Sequence, residues 1–246
     1  MRPRGHATSR LTGRRRQPKV PIVSEHPEPV GDPASTPSHV AEATAHPRGR
    51  AAAALRRLGH ALIANEADDA LLLEVAAAAE RVAARVEAGA PRERDLLDTK
   101  RRMFDVEIGE GERVVHFDEC FVSGPFNPLG IAIEVRREGD EAVAEVALGA
   151  AFEGGPGRAH GGIVAAVFDD VLGYLLSLER TPGFTGDLTV RYLAPTPIGV
   201  PLRFRARVVE RDGRKLHTEA EALADGARIA TARAVFISVD PGRFAA

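Results

Sequence analysis

The stretch GRAHGGIVAAVFDDVLGYLL, Gly157 to Leu176, constrains the fold more than any other part of the chain. Behind a His-Gly-Gly turn it reads as one helix that is apolar on nearly every side. A helix of that kind cannot lie on a surface; it has to be enclosed. The sequence around it supplies the enclosure. From about Asp105 the pattern is one of strands: ERVVHFDE is a short candidate, and GIAIEVRREGDEAVAEVALG is two alternating runs about Gly139-Asp140. After the helix come FTGDLTVRYLAP, VPLRFRARVVERDG, RKLHTEAEALADG and ARIATARAVFISVD, punctuated by Asp212-Gly213 and Asp225-Gly226. Leu202, Phe204, Ala206 and Val208 alternate with Arg203, Arg205 and Arg207. The reading is α+β: an antiparallel meander of about five or six strands with one face to bury, wrapped around the apolar helix.

The rest of the chain divides by composition. Residues 1–49 are rich in Pro, Arg, Ser, Thr and His and lack periodicity, so they are expected to be a disordered tail. Six arginines and Lys19 precede the first acid, but prolines and glycines interrupt the segment. It is expected neither to form a targeting helix nor to bind nucleic acid specifically. Residues 50–101 are Ala-rich. Leu55, Leu58 and Leu62 share one helical face and Leu72, Val75, Ala79, Val82 and Val86 another, with a break at Asn65 to Asp69. These helices need a partner, either the following domain or a second subunit. Residues 102–246 form the expected main domain. A net charge of -2 selects no charged partner, and no run of about 18 apolar residues suggests a membrane span. Cys120 is the sole cysteine, which suits a reducing compartment and a cytoplasmic location.

The chemistry gathers at the helix. Gly154, Gly155, Gly157, Gly161 and Gly162 leave its approach bare, and the first N–H groups of a helix lack internal partners at its positive end. They are oxyanion-hole material. Asp169 lies among Val164, Val167, Phe168 and Leu172, where a carboxylate is costly unless paired or functional. Adjacent carboxylates point about 100° apart, so Asp170 is expected to be auxiliary or exposed. His160 alone orients backbone more readily than it moves protons. Gly161 and Asp169 are separated by about 12 Å along a helix, so if both act on one carbonyl the site is shared between two subunits. Cys120, in a Phe-rich segment with no evident base, is read as packing.

HGGIVAAVFDDVLG followed by TGDLTVRYLAPTPIG resembles the hotdog-fold acyl-CoA thioesterases of the PaaI and 4-hydroxybenzoyl-CoA thioesterase superfamily. The likeness runs from about Cys120 to Val239. It implies a hotdog fold and hydrolysis of acyl-CoA to free acid and coenzyme A, by a homodimer or a dimer of dimers, with no cofactor and no metal. By position it implies that Gly161 polarises the thioester oxygen, that His160 orders the turn, and that Asp169 is general base or nucleophile. Thr185 would help position water or the acid. Gly162, Asp187, Arg158 and Arg191 would meet the substrate. Gly154 departs from the pattern, since some members carry Asn there. Two other readings remain open: a hotdog dehydratase or hydratase, and a non-enzymatic acyl-CoA-binding or assembly protein recruiting through its N-terminal helices.

Overall fold

The computed structural model describes residues 43–93, 104, 107–114 and 117–240. Most of the expected tail, 1–42, therefore lies outside the described residues.

Helix α1 (Pro47–Ala64) starts three residues before the expected boundary at Arg50, because His46 caps it and Pro47 takes its first position. The cap is the Nδ1 of His46 accepting from the Arg48 N–H at 3.2 Å. Helix α2 (Asp69–Glu87) begins where Asp68 accepts the N–H of Leu71 at 2.8 Å, so the expected break is real. α1 is seated on the main domain. Arg56 donates to the carbonyls of Pro125 and Asn127 at 3.0 and 2.6 Å, and His46 stacks on Phe126. α2 has no buried residue, and Leu72, Val82 and Val86 are exposed.

The main domain is a seven-stranded antiparallel sheet around one helix, one or two strands wider than the patterns suggest. In chain order the elements are β1 (Arg113–Val114), β2 (Glu134–Glu138), β3 (Glu141–Ala147), the short ribbon β4 (Glu153–Gly155) and β5 (Arg158–Ala159), and α3 (Gly161–Leu178). Four long strands follow: β6 (Gly183–Tyr192), β7 (Pro201–Asp212), β8 (Lys215–Ala224) and β9 (Ala227–Ser238). The sheet order is β1-β2-β3-β7-β8-β9-β6. α3 carries the chain from β3 across the face of the sheet to the far edge, where β6, among the described residues, pairs with β9 alone. This is the hotdog arrangement expected.

The turns are those the glycines dictate. Asp225 and Gly226 both have positive φ, as a type I′ hairpin requires. The β7–β8 loop is Gly213-Arg214, one residue later than the Asp-Gly pair suggests, since Asp212 still pairs with Lys215.

The core explains why α3 is apolar all round. Val164, Val167, Phe168, Val171, Leu172 and Leu175 are fully shielded. By hydropathy α3 alone would pass for a membrane span (mean 1.6 over Gly161–Leu178), but the sheet covers its apolar side chains. Phe168 meets Phe204 of β7 edge-on at 5.1 Å. Beside that contact the register lines up Ala142, Ala206, Ala220 and Ala232 on four adjacent strands, all buried. This row of methyl groups lets the helix sit close to the sheet. The opposite face carries the arginines and glutamates: Arg203 bridges Glu138 and Glu145, Arg205 binds Glu141, and Arg207 binds Glu219. Each such exposed pair contributes about 0–1 kcal/mol, so the face confers solubility more than stability.

Candidate active site

The turn before α3 is clamped from both sides. The Ala159 N–H donates to the Thr196 carbonyl at 2.9 Å and the His160 N–H to the Phe152 carbonyl at 2.8 Å. Gly157 takes a positive φ of 72°, and its N–H is held by Glu153. Gly154 packs directly on His160. A Cβ there would fall 2.8 Å from the His160 Cα, so a side chain such as Asn has no room in this conformation. The departure at Gly154 is thus tied to how closely the two strands of the ribbon approach.

His160 is the N-cap of α3. Its Nδ1 accepts the N–H of Gly162 at 2.9 Å, which fixes the neutral tautomer with hydrogen on Nε2. The Ile163 and Val164 N–H groups turn back to the His160 carbonyl. The Gly161 N–H alone of this first turn has no acceptor among the described residues. Gly162, expected to meet substrate, has its amide committed to the cap. Tyr192 of β6 donates its hydroxyl to the Gly161 carbonyl at 2.7 Å and so ties the helix start to the sheet edge. Arg158, Ala159, Gly161, Tyr192, Pro195 and Thr196 line a groove of about 450 Å3 beside this donor.

Further along α3, the half-buried Asp169 accepts from the Thr185 hydroxyl at 3.0 Å on Oδ1, while its Oδ2 takes no hydrogen bond among the described residues. The residues the resemblance pairs are therefore in contact. Asp187 and Arg191 are not with them. The strand bulges between Thr185 and Asp187, so Thr185 pairs with the buried Phe236 while Asp187 pairs with Val235. Asp187 consequently faces away from the helix and accepts from Thr189. Arg191 pairs with Thr231 on that same outer face, in a groove shared with Arg205 and Arg207. Within one chain, neither meets the Gly161 turn.

Asp170 is not exposed. Its Oδ1 accepts the Cys120 thiol at 3.3 Å, and its Oδ2 is out of reach of solvent without a hydrogen-bond partner among the described residues. Burial pushes its pKa up to about 6, against the opposing effect of the Ser123 hydroxyl and the Cys120 thiol and with a further push from Asp169. Cys120 in turn is raised by burial and by Asp170. Both effects disfavour the thiolate, in keeping with the packing reading, but the carboxylate neighbour was not visible in the sequence. Tyr192, Cys120 and Ser123 are the site's unforeseen members. A tyrosine ending the strand that carries Thr185 was a usable signal for the first; nothing local marked the others.

Residues 152–237 match the acyl-CoA thioesterase N-terminal domain family. A crystal structure of a thioesterase superfamily protein is 30% identical, with a TM-score of 0.65, covering 78% of this chain and 91% of that one. The PaaI protein of the phenylacetic acid degradation operon of E. coli is 18% identical, with a TM-score of 0.42, over 44% of this chain and 83% of its own. A thioesterase from Streptococcus pneumoniae TIGR4, solved with coenzyme A, is 16% identical, with a TM-score of 0.42, over 44% and 88%. No curated protein matches the chain significantly. The chain belongs to the thioesterase superfamily.

Proposed function

We propose that the protein hydrolyses acyl-CoA thioesters as a homodimer whose two sites each combine Gly161 of one subunit with Asp169 of the other. The observation that carries this reading is the pair of unengaged groups on one helix: the Gly161 N–H and the Asp169 Oδ2. Separated by about 12 Å along α3, they cannot both touch one carbonyl in a single chain, and an antiparallel second α3 would bring them together. Among the described residues β6 pairs with β9 alone, and this edge, with Tyr192 exposed, offers the surface for such pairing.

The thioester oxygen accepts the Gly161 N–H, which gains strength as negative charge develops on that oxygen. Thr185 holds Asp169 Oδ1, so Oδ2 faces the water or the carbonyl carbon. As general base, Asp169 takes a proton from water while the oxygen bonds to the carbonyl carbon. The C–S bond then breaks and coenzyme A leaves as the thiol with a proton returned by Asp169. As nucleophile, Oδ2 bonds to the carbonyl carbon, the C–S bond breaks and coenzyme A leaves as thiolate, which takes a proton from solvent; water then hydrolyses the mixed anhydride to free acid and the Asp169 carboxylate. Arg158 borders the groove and is the basic group placed to meet the coenzyme's phosphates. The reaction draws on no cofactor beyond the coenzyme A of the substrate, and we place it in the cytoplasm.

The test is free thiol release from short, medium, long and aromatic acyl-CoAs. Asp169→Asn and Gly161→Pro are run alone and mixed after subunit exchange. Proline is accepted at a first helical position but has no N–H to give. Both single variants are expected to be nearly inactive, and the mixture to regain activity through the hybrid site that retains both groups. A mixture no more active than its parts would rule out the shared site. No release from any acyl-CoA would leave the binding-protein reading in its place.

A further inference from the structure

Asp187 and Arg191 are exposed on the outer face of β6, the edge strand of the sheet. Four residues of strand, about 13 Å, keep them from pairing with each other. Across β6 the strand β9 sets Val235 opposite Asp187 and Thr231 opposite Arg191, with Arg233 opposite Thr189 between them. The glutamates that line the outer groove with Arg191 are engaged elsewhere: Glu141 by Arg205, Glu219 by Arg207 and Glu221 by Arg228. Among the described residues neither Asp187 nor Arg191 makes an ion pair; Asp187 accepts from the Thr189 hydroxyl. An acid and a cation on an edge strand, each without a charged partner in its own chain, are complementary to the same strand reversed.

We propose that β6 pairs antiparallel with β6 of a second copy about a two-fold axis through Thr189, Asp187 of each subunit facing the partner's Arg191. This rests on the shared-site reading and fixes its register. In a continuous sheet outward residues stay opposite outward residues, which limits how the two strands can slip. An axis at Asp187 or at Arg191 sets like charges face to face. An axis at Leu188 or at Val190 sets each charge opposite an uncharged residue. The axis at Thr189 satisfies both charges, twice per dimer, and sets Leu188 opposite the partner's Val190. The site selects the same axis through different contacts. Thr185 holds Asp169 and Tyr192 holds Gly161, and the middle of that interval on β6 falls between Leu188 and Thr189. Reversal about Thr189 therefore brings Tyr192 to within one residue of the partner's Thr185, and the Gly161 N–H toward the partner's Asp169. Asp187 and Arg191, expected to meet substrate, act instead by setting where the second half of the site arrives.

Two measurements on the full chain test the proposal, and neither needs turnover. The first is partner choice, read by native mass spectrometry and sedimentation at low salt. Asp187→Arg and Arg191→Asp, each alone, face like charges across the axis and should raise the dimer Kd about 10²-fold. Mixed in equal amounts they should form the heterodimer in preference to either homodimer, since each strand then meets the opposite charge at both positions. The second is cross-linking under mild oxidation. Residues opposite each other on antiparallel strands lie within disulfide reach. Thr189→Cys should bridge to its own copy, and Asp187→Cys should bridge to Arg191→Cys in a mixture but not to itself. The wild type, whose Cys120 is half-buried, is the blank. A monomeric wild type, a mixture with no preference for the heterodimer, or self-bridging of Asp187→Cys in place of Thr189→Cys would each overturn the proposal. If the wild type hydrolyses no thioester, the catalytic reading fails alone and both measurements still decide the pairing. If the pairing fails in a dimeric wild type, the mixed Gly161 and Asp169 variants still decide whether the site is shared.

Discussion

Gly162 donates its backbone N–H to His160 Nδ1 at 2.9 Å, so that among the described residues the N–H of Gly161 is the open donor at the head of α3. A histidine cap both satisfies one orphan amide and aims the other. His160→Ala should therefore cost about 1 kcal/mol of stability, as lost caps do. It should also cut hydrolysis roughly ten- to a hundredfold by loosening the donor. His160→Asn restores a capping oxygen and should recover most of the stability, which chemical denaturation beside steady-state kinetics would reveal.

Thr185 and Asp169 should separate orientation from chemistry. Asp169→Asn removes the proposed base and should lower kcat by about 10²- to 10⁴-fold, with little change in melting temperature because the side chain is half-buried. Thr185→Val keeps the carboxylate but frees its Oδ1. A loss of about tenfold in kcat with KM nearly unchanged is expected.

Asp170 carries a pH signature in stability. Its folded pKa lies at about 6 against 3.8 for a solvated aspartate, so the fold prefers the neutral acid. Stability associated with it is complete below pH 4 or so and is lost as pH rises toward about 6. A difference of about 2 units corresponds to about 3 kcal/mol. Asp170→Asn should match the wild type near pH 4 and exceed it by up to that amount at pH 7.5, in urea melts at both values. A gap that widened toward acid would contradict this sign.

His60 joins α1 to the turn that feeds the site. Its Nδ1 accepts the Ala151 N–H at 3.0 Å, its ring meets Phe152 edge-on at 5.0 Å, and the Phe152 carbonyl holds the His160 N–H. Burial and then the charge of Arg56 lower the His60 pKa. That contribution is present above the unfolded value of about 6.5 and is lost as pH falls through it toward the folded value. His60→Ala should cost about 1–2 kcal/mol and make the remaining stability less sensitive to pH between 7.5 and 5. Limited proteolysis at the α1–α2 break offers an independent readout.

How much of this the sequence carried depends on the range of each contact. The wrapped helix, the hairpins and the His160 turn are local patterns, so periodicity and glycine placement revealed them. The Thr185–Asp169 bond was reached through resemblance, since nothing in spacing brings residues sixteen apart together across a helix and a strand. That Asp187 and Arg191 lie on the outer face was not legible, because the bulge after Thr185 reverses which face the following side chains take, and alternation cannot register an extra residue. Asp170 was expected to be auxiliary or exposed because its cover, Cys120, comes from fifty residues upstream.

The alanine row across β3, β7, β8 and β9 has a bearing on the chemistry that its own inertness hides. Those four methyls determine how deeply α3 sinks into the sheet. They therefore govern the reach from Asp169 to Thr185 on the neighbouring edge strand. Replacing Ala220 or Ala232 with valine would tilt the helix by wedging it from behind, detuning a hydrogen bond that neither residue touches. The spacing of the reacting groups is in this sense calibrated by side chains too small to take any part in the reaction.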